Sequence, residues 1–151
     1  MNYRFFGAGT ADVPPISTDY PGIESPRDLY DALLHLWRDD TCAPRMRKQW
    51  NKDNPTLGQC SITAFLVQDI FGGTVYGVPL GDGNFHCYNV VGDIVFDLTS
   101  EQFGVEQLSY TLENPQSRET HFQKEEKRLR YELLKSWLYE WCNPRKKSLN
   151  E

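Results

Sequence analysis

Apolar residues recur at helical spacing in three blocks and crowd into short β-type runs in between. In the first block Leu29, Leu33, Leu36 and Trp37 repeat every three or four positions, with Tyr30 and Leu34 widening the stripe. Ser25, Pro26 and Asp28 precede them as a hydroxyl cap, a first-position proline and a first-turn acid, so a helix is predicted to run to about Trp37. In the second block Ile62, Phe65, Leu66 and Ile70 keep the helical period while Ala64 and Val67 add apolar surface, the pattern of a largely buried helix. Gly72 and Gly73 supply the left-handed residue that commonly ends one. Residues 74–78, 85–91 and 94–99 are then rich in Val, Tyr, Phe and Ile and are broken by Gly81, Gly83 and the Gly92 and Asp93 pair, which predicts three antiparallel strands. The last block predicts an amphipathic helix over 125–141, with Leu129, Leu133, Trp137 and Trp141 inward, Leu134 and Leu138 beside them, and Glu125, Lys127, Arg128, Arg130, Glu132 and Lys135 on the other face. Asn143 and Pro144 stop it, and 143–151 reads as a polar tail. Residues 1–24 carry glycines and prolines that interrupt regular structure, so an irregular segment draped over the domain is expected there.

These elements make one α+β domain spanning 1–151, a length suited to a single core. With 39% hydrophobic residues, including 8 Tyr, 8 Phe and 4 Trp, the chain can fold without metal or disulfide staples. A net charge of −5 gives no overall field to attract nucleic acid or an anionic membrane. The first fifteen residues lack a signal-peptide core and no later run is long enough to span a bilayer, so a cytoplasmic protein is expected. In that compartment Cys42, Cys60, Cys87 and Cys142 stay thiols. No close cysteine pair occurs and His35, His86 and His121 are scattered, so neither a metal site nor a cofactor is expected. Residues 42–54 are basic, with Arg45, Arg47, Lys48 and Lys52 around Met46 and Trp50. A solvated turn of helix is the preferred reading over a rim that steers an acidic substrate.

Candidate chemistry centres on Cys60, placed at the first turn of the buried helix. Unpaired amides and the positive end of the helix dipole favour thiolate there. The same amides can hold the oxyanion of a tetrahedral intermediate, and Gln59 is a side-chain donor expected to join them. If Gly92 and Asp93 form a two-residue hairpin loop, Asn89 faces Phe96 and Tyr88 faces Asp97. Alternation then puts His86 on the face of Asp97, its diagonal neighbour at about 7 Å between backbone positions, and turns Asn89 to the other face. A thiolate to attack an acyl carbon, an imidazole to shuttle the proton and a carboxylate to fix the imidazole tautomer form a working set. Trp50 and Asn54 precede Cys60 closely enough to wall its pocket. Gln102 is expected near the site, Phe103 in the core, His121 on the surface, and Cys42, Cys87 and Cys142 as inert buried thiols.

The blocks Gly58, Gln59, Cys60, Thr63 and Ala64, then Asp69, Phe71, Gly72 and Gly73, then His86 and Asn89, then Asp97 to Ser100 with Gln102 and Phe103 resemble the YunG family of small bacterial proteins over about residues 50–122. The order helix Cys, strand His, strand Asp is similar to the papain-like and transglutaminase-like superfamily, and that resemblance implies Cys60, His86 and Asp97 as its three catalytic positions. The chain departs from transglutaminases in lacking a calcium-site signature and a Trp near the His, and from papain in lacking the longer cysteine motif. The expected function is therefore thiol-dependent cleavage or transfer at an amide or other acyl bond of a peptide, a protein side-chain amide or a small amide. A glutamine deamidase or transglutaminase, and a catalytically silent binding domain, are the rivals. Oligomeric state is not legible.

Overall fold

The computed structural model describes residues 3–104 and 108–144. Ser25 caps the first helix as its sequence requires, its hydroxyl accepting the Asp28 amide, and α1 spans Pro26–Leu33. The helix is shorter than predicted because its last turn tightens: the Leu36 and Trp37 amides both return to the Leu33 carbonyl. Leu29, Leu33, Leu36 and Trp37 are nevertheless all buried, so the predicted face is the one used. Short 3-10 turns follow at Asp39–Thr41 and Pro44–Gln49.

The second helix, α2, spans Cys60–Phe71 and is buried almost all round, as expected of a helix that carries apolar residues on every side. Gly72 and Gly73 end it, both with positive φ. Three antiparallel strands follow in the order β1 (Thr74–Pro79), β2 (Phe85–Val91) and β3 (Ile94–Phe96). The register of β2 on β3 pairs Val91 with Ile94, Val90 with Val95 and Asn89 with Phe96, which is the two-residue hairpin expected at Gly92 and Asp93. One face of the sheet meets α2, and the other gathers Val78, Tyr88 and Val90 with Tyr76, Val95, Leu108 and Tyr110 into a smaller apolar cluster.

β3 ends three residues before the predicted boundary because Asp97 leaves the ladder for a different partner. Its amide donates to the Phe6 carbonyl at 3.0 Å, in an isolated antiparallel bridge. The N-terminal segment is thus more than a drape: Phe5, Ala8, Ala11, Val13, Tyr20 and Ile23 are core residues. Gly7, with φ +81°, permits the close crossing, since a Cβ there would lie 2.2 Å from the Val95 carbonyl oxygen.

A short helix absent from the sequence reading, α3 (Arg118–Phe122), precedes α4 (Glu125–Cys142). Its Arg118 guanidinium donates to Tyr131 of α4 at 3.0 Å and to Asp69 of α2 at 2.7 Å, tying three helices together. The inward face of α4 is rotated from the predicted one. Tyr131, Leu134 and Leu138 are buried, whereas Leu129 and Trp141 are about half exposed. Arg130, predicted to face solvent, is buried, bonding the Thr41 carbonyl at 3.0 Å and pairing with Glu126. The tail beyond Pro144 lies outside the described residues, and among the described residues no helix is long and apolar enough to cross a membrane.

Candidate functional site

The first turn of α2 abuts the His86 and Cys87 dipeptide of β2, and a cleft of about 520 Å³ opens over the junction. Cys60, Ser61 and His86 line its floor, Phe85 and Phe103 one side, and Thr120, His121 and Lys127 of α3 and α4 another. The N-cap residue Gln59 makes no side-chain capping bond to the first turn of α2, whose leading amides have no partner within the helix.

His86 and Asp97 are each 1% exposed, and His86 Nε2 lies 2.6 Å from Asp97 Oδ2. The carboxylate is held from four directions. Tyr110 donates its hydroxyl to Oδ2 at 2.8 Å, and Thr99 donates its amide and hydroxyl to Oδ1 at 3.1 and 3.3 Å. Tyr110 is itself fixed by stacking on Phe6 at 4.0 Å between centroids and by its edge contact with Tyr88 at 4.8 Å. The other imidazole nitrogen, His86 Nδ1, is buried and has no hydrogen-bond partner among the described residues. Phe103 packs its ring edge-to-face on the imidazole at 4.7 Å.

Charge follows from this geometry. The Cys60 thiol is held well below the ordinary thiol range, first by a hydrogen bond from the Cys87 side chain, then, against the opposing effect of burial, by His86 and by the Cys87 backbone amide. Burial opposes a charge on His86, but the Asp97 carboxylate beside it and the facing Cys60 sulfur prevail and push its pKa up to about 10. The two shifts describe one pair, a thiolate facing an imidazolium. The Cys87 thiol moves the other way, well above its usual range, because it donates to Cys60 and is buried.

Among the residues singled out from the sequence, Cys60, His86 and Asp97 come together, and Asn89 turns to the opposite face, where it donates to the Ala64 carbonyl at 2.9 Å. Three others do not reach the cleft. Gln59 is fully buried with its amide donated to the Arg38 carbonyl at 3.0 Å, which removes it as an oxyanion donor. Trp50 donates its indole N–H to the Pro55 carbonyl at 2.9 Å and lines a separate groove with Trp37 and Arg38, because the loop folds back on itself. Asn54 sits inside that same loop, its amide bonded to Asn51 and its carbonyl to Leu57. Phe103 is a cleft wall rather than core, and Gln102 accepts the Gly58 amide at 3.3 Å just before α2.

His121 is the largest correction. Instead of facing solvent it lies against the Phe65 ring and in the cleft, 2.9 Å from Lys127 Nζ and 2.8 Å from Gln116 Oε1. Burial, and then the Lys127 ammonium, lower its pKa to about 4, so it is neutral, accepting from Lys127 at Nδ1 and donating to Gln116 from Nε2. Tyr110 and Cys87 were also missed as site residues. Nothing local marks Tyr110, whereas the adjacency of Cys87 to His86 is the one signal in the sequence that places it here. Among the described residues no group of His, Cys, Asp and Glu is placed to hold a metal.

Comparison with known proteins returns a family model described as "YunG protein" that matches residues 25–142. A Bacillus subtilis (strain 168) protein named "Uncharacterized protein YunG" is 44% identical over 55 residues, which cover 36% of this chain. The match spans 47% of that relative, about half its length. No solved structure gives a significant match.

Proposed function

We propose that this chain, which belongs to the YunG family, is a cysteine hydrolase or acyltransferase acting on an amide or other acyl bond, built on a papain-like or transglutaminase-like arrangement. The observation that carries the reading is the imidazole itself. One nitrogen is bound to a buried carboxylate at 2.6 Å, and the other is buried with no hydrogen-bond partner among the described residues, near a cysteine whose thiol is acidified. A structural histidine satisfies both nitrogens, whereas a histidine serving a thiol keeps one for sulfur.

In the reaction, the Cys60 thiolate attacks the carbonyl carbon. The oxyanion that forms is met by the uncapped amides of the first turn of α2. His86 passes its Nδ1 proton to the leaving nitrogen or oxygen, and the C–N or C–O bond breaks to leave a thioester on Cys60. Water, or an amine in the transfer reaction, then gives its proton to His86 and displaces the sulfur. Asp97 holds the ring by Nε2 throughout and stabilises its charge. The protein acts in the cytoplasm on this reading, with its thiols reduced.

The test is trapping of the acyl intermediate. Incubation with p-nitrophenyl acetate should release a burst of p-nitrophenolate and leave an acetyl group that peptide mapping by mass spectrometry places on Cys60, and both should vanish in Cys60→Ala. Acetylation spread evenly over Cys42, Cys87 and Cys142, or absent from Cys60, would refute the reading.

A further inference from the structure

The cleft that holds Cys60 is positively charged in a chain whose net charge is −5. Its walls carry Arg45 on one side and Lys124, Lys127 and Arg130 on the other, against a single lining carboxylate, Glu126. That carboxylate is already committed, since Glu126 is paired with the buried Arg130, which also bonds the Thr41 carbonyl. The remaining three cations lack an acidic partner at ion-pair distance among the described residues. Lys127 is half-buried and spends its one hydrogen bond on the neutral ring of His121. Lys124 and Arg45 are exposed, and Asp82 in the β1–β2 loop, which feels the Arg45 charge, does not line the cleft. Asp97 is sealed behind His86 and Tyr110.

Lys124 and Arg45 are solvated, but together with the half-buried Lys127 they leave the cleft with a positive potential that attracts an anion. The Cys60 thiolate fills that role only in part: it bears on Lys127 but is already matched by His86. Burial, the first cause, lowers the Lys127 pKa and outweighs the opposing pull of the Cys87 and Cys60 sulfurs, so that ammonium is held half-buried with no carboxylate beside it.

We infer that the cleft selects acyl substrates carrying a carboxylate beside the bond to be cleaved, with Lys124 and Lys127 on one wall and Arg45 on the other as its partners. The inference rests on the hydrolase reading above and narrows its substrate to acidic peptides or amides. The cations hold no catalytic proton. They raise the local concentration of the anionic substrate and set its direction in the cleft, with the carboxylate toward α3 and α4 and the carbonyl over the first turn of α2.

Two reagents of nearly equal size separate charge from reactivity. Iodoacetate and iodoacetamide both alkylate a thiolate by displacing iodide as the sulfur–carbon bond forms, and only the first carries a carboxylate. The rate ratio of iodoacetate to iodoacetamide at Cys60 is measured in the full chain and normalised to the ratio for free cysteine. The inference predicts a normalised ratio at least about threefold above one, falling toward one as salt is raised. It also predicts that the ratio falls in Lys124→Gln/Lys127→Gln, and independently in Arg45→Gln, with iodoacetate slowed more than iodoacetamide. A reactive Cys60 with a normalised ratio of one, or a raised ratio that none of these variants lowers, would overturn the inference and leave the hydrolase reading standing. A Cys60 that reacts with neither reagent would remove both.

Discussion

The Asp97 carboxylate accepts hydrogen bonds from His86, Tyr110 and, twice, Thr99 while being 1% exposed. A carboxylate is acceptor-only, so every one of these donors is matched. Asparagine at this position keeps the shape but turns one acceptor into an NH2 group, which would confront either His86 and Tyr110 or the Thr99 donors. With Nε2 no longer bound to a negative charge, the imidazole loses both its preferred tautomer and the stabilisation of its charged form. Asp97→Asn is therefore expected to fold, by circular dichroism, and to slow deacetylation of the Cys60 acetyl-enzyme by about 10²- to 10⁴-fold. A rate within a factor of two of the unaltered protein would show that the carboxylate serves the fold alone. This pairing was open to sequence reasoning because it depends only on alternation and a two-residue turn, both of which the register at Asn89 and Phe96 satisfies. Gln59 failed for a related reason: sequence places it next to Cys60, but neighbours along a chain at a helix entry point in different directions, and its amide is taken by Arg38.

At the scale of elements, the site is held together by segments that carry little periodic signal. Asp97 lies beyond the end of β3, and its backbone is fixed by Phe6 while the Ser100 hydroxyl accepts the Phe6 amide at 2.8 Å. This lock requires the N-terminal segment to cross β3 closely at Gly7. Gly7→Ala would set a methyl 2.2 Å from the Val95 carbonyl oxygen at φ +81°, so the crossing must open. A loss of more than about 1 kcal/mol in denaturant midpoint analysis is expected, together with a weaker His86 and Asp97 contact seen as slower acylation of Cys60. Unchanged stability would mean that the segment is not anchored there. Hydrophobic periodicity predicted α1, α2, the three strands and α4, because those elements bury regular faces. It did not reveal α3, whose five residues are positioned by the Arg118 contacts to Asp69 and Tyr131 rather than by an apolar stripe. For the same reason it misplaced the inward face of α4: the aromatic and leucine positions at 129 and 141 fit the period, but Tyr131 and the aliphatic stem of Arg130 win the buried sites through polar partners contributed by other elements.

Across the whole molecule, the Cys60 sulfur comes from the start of α2, the imidazole from β2, and the carboxylate from the turn after β3 that the N-terminus pins down. His121 and Lys127 reach the cleft from helices more than twenty residues further along the chain. Only the first three of these are legible in the sequence, through the helix start, the strand alternation and the two-residue turn. The cleft wall is not, since cations dispersed over separate elements leave no local pattern. The acidified thiol is thus a property of the assembled fold and should disappear with it. The sign of the effect is set by the two shifts. A lowered thiol pKa means that thiolate persists as pH falls until that lowered value is passed, and a His86 pKa near 10 means that the partner imidazolium persists as pH rises until about 10. The ion pair therefore occupies the whole window between. Its most direct measurement is the ultraviolet absorbance of thiolate as a function of pH, taken as the difference between the native protein and Cys60→Ser. One thiolate is expected to titrate well below the roughly 8.5 of a free thiol, to return to that ordinary value in urea and to move upward in His86→Ala. A Cys60 that ionises at or above 8.5 in the native protein would contradict it.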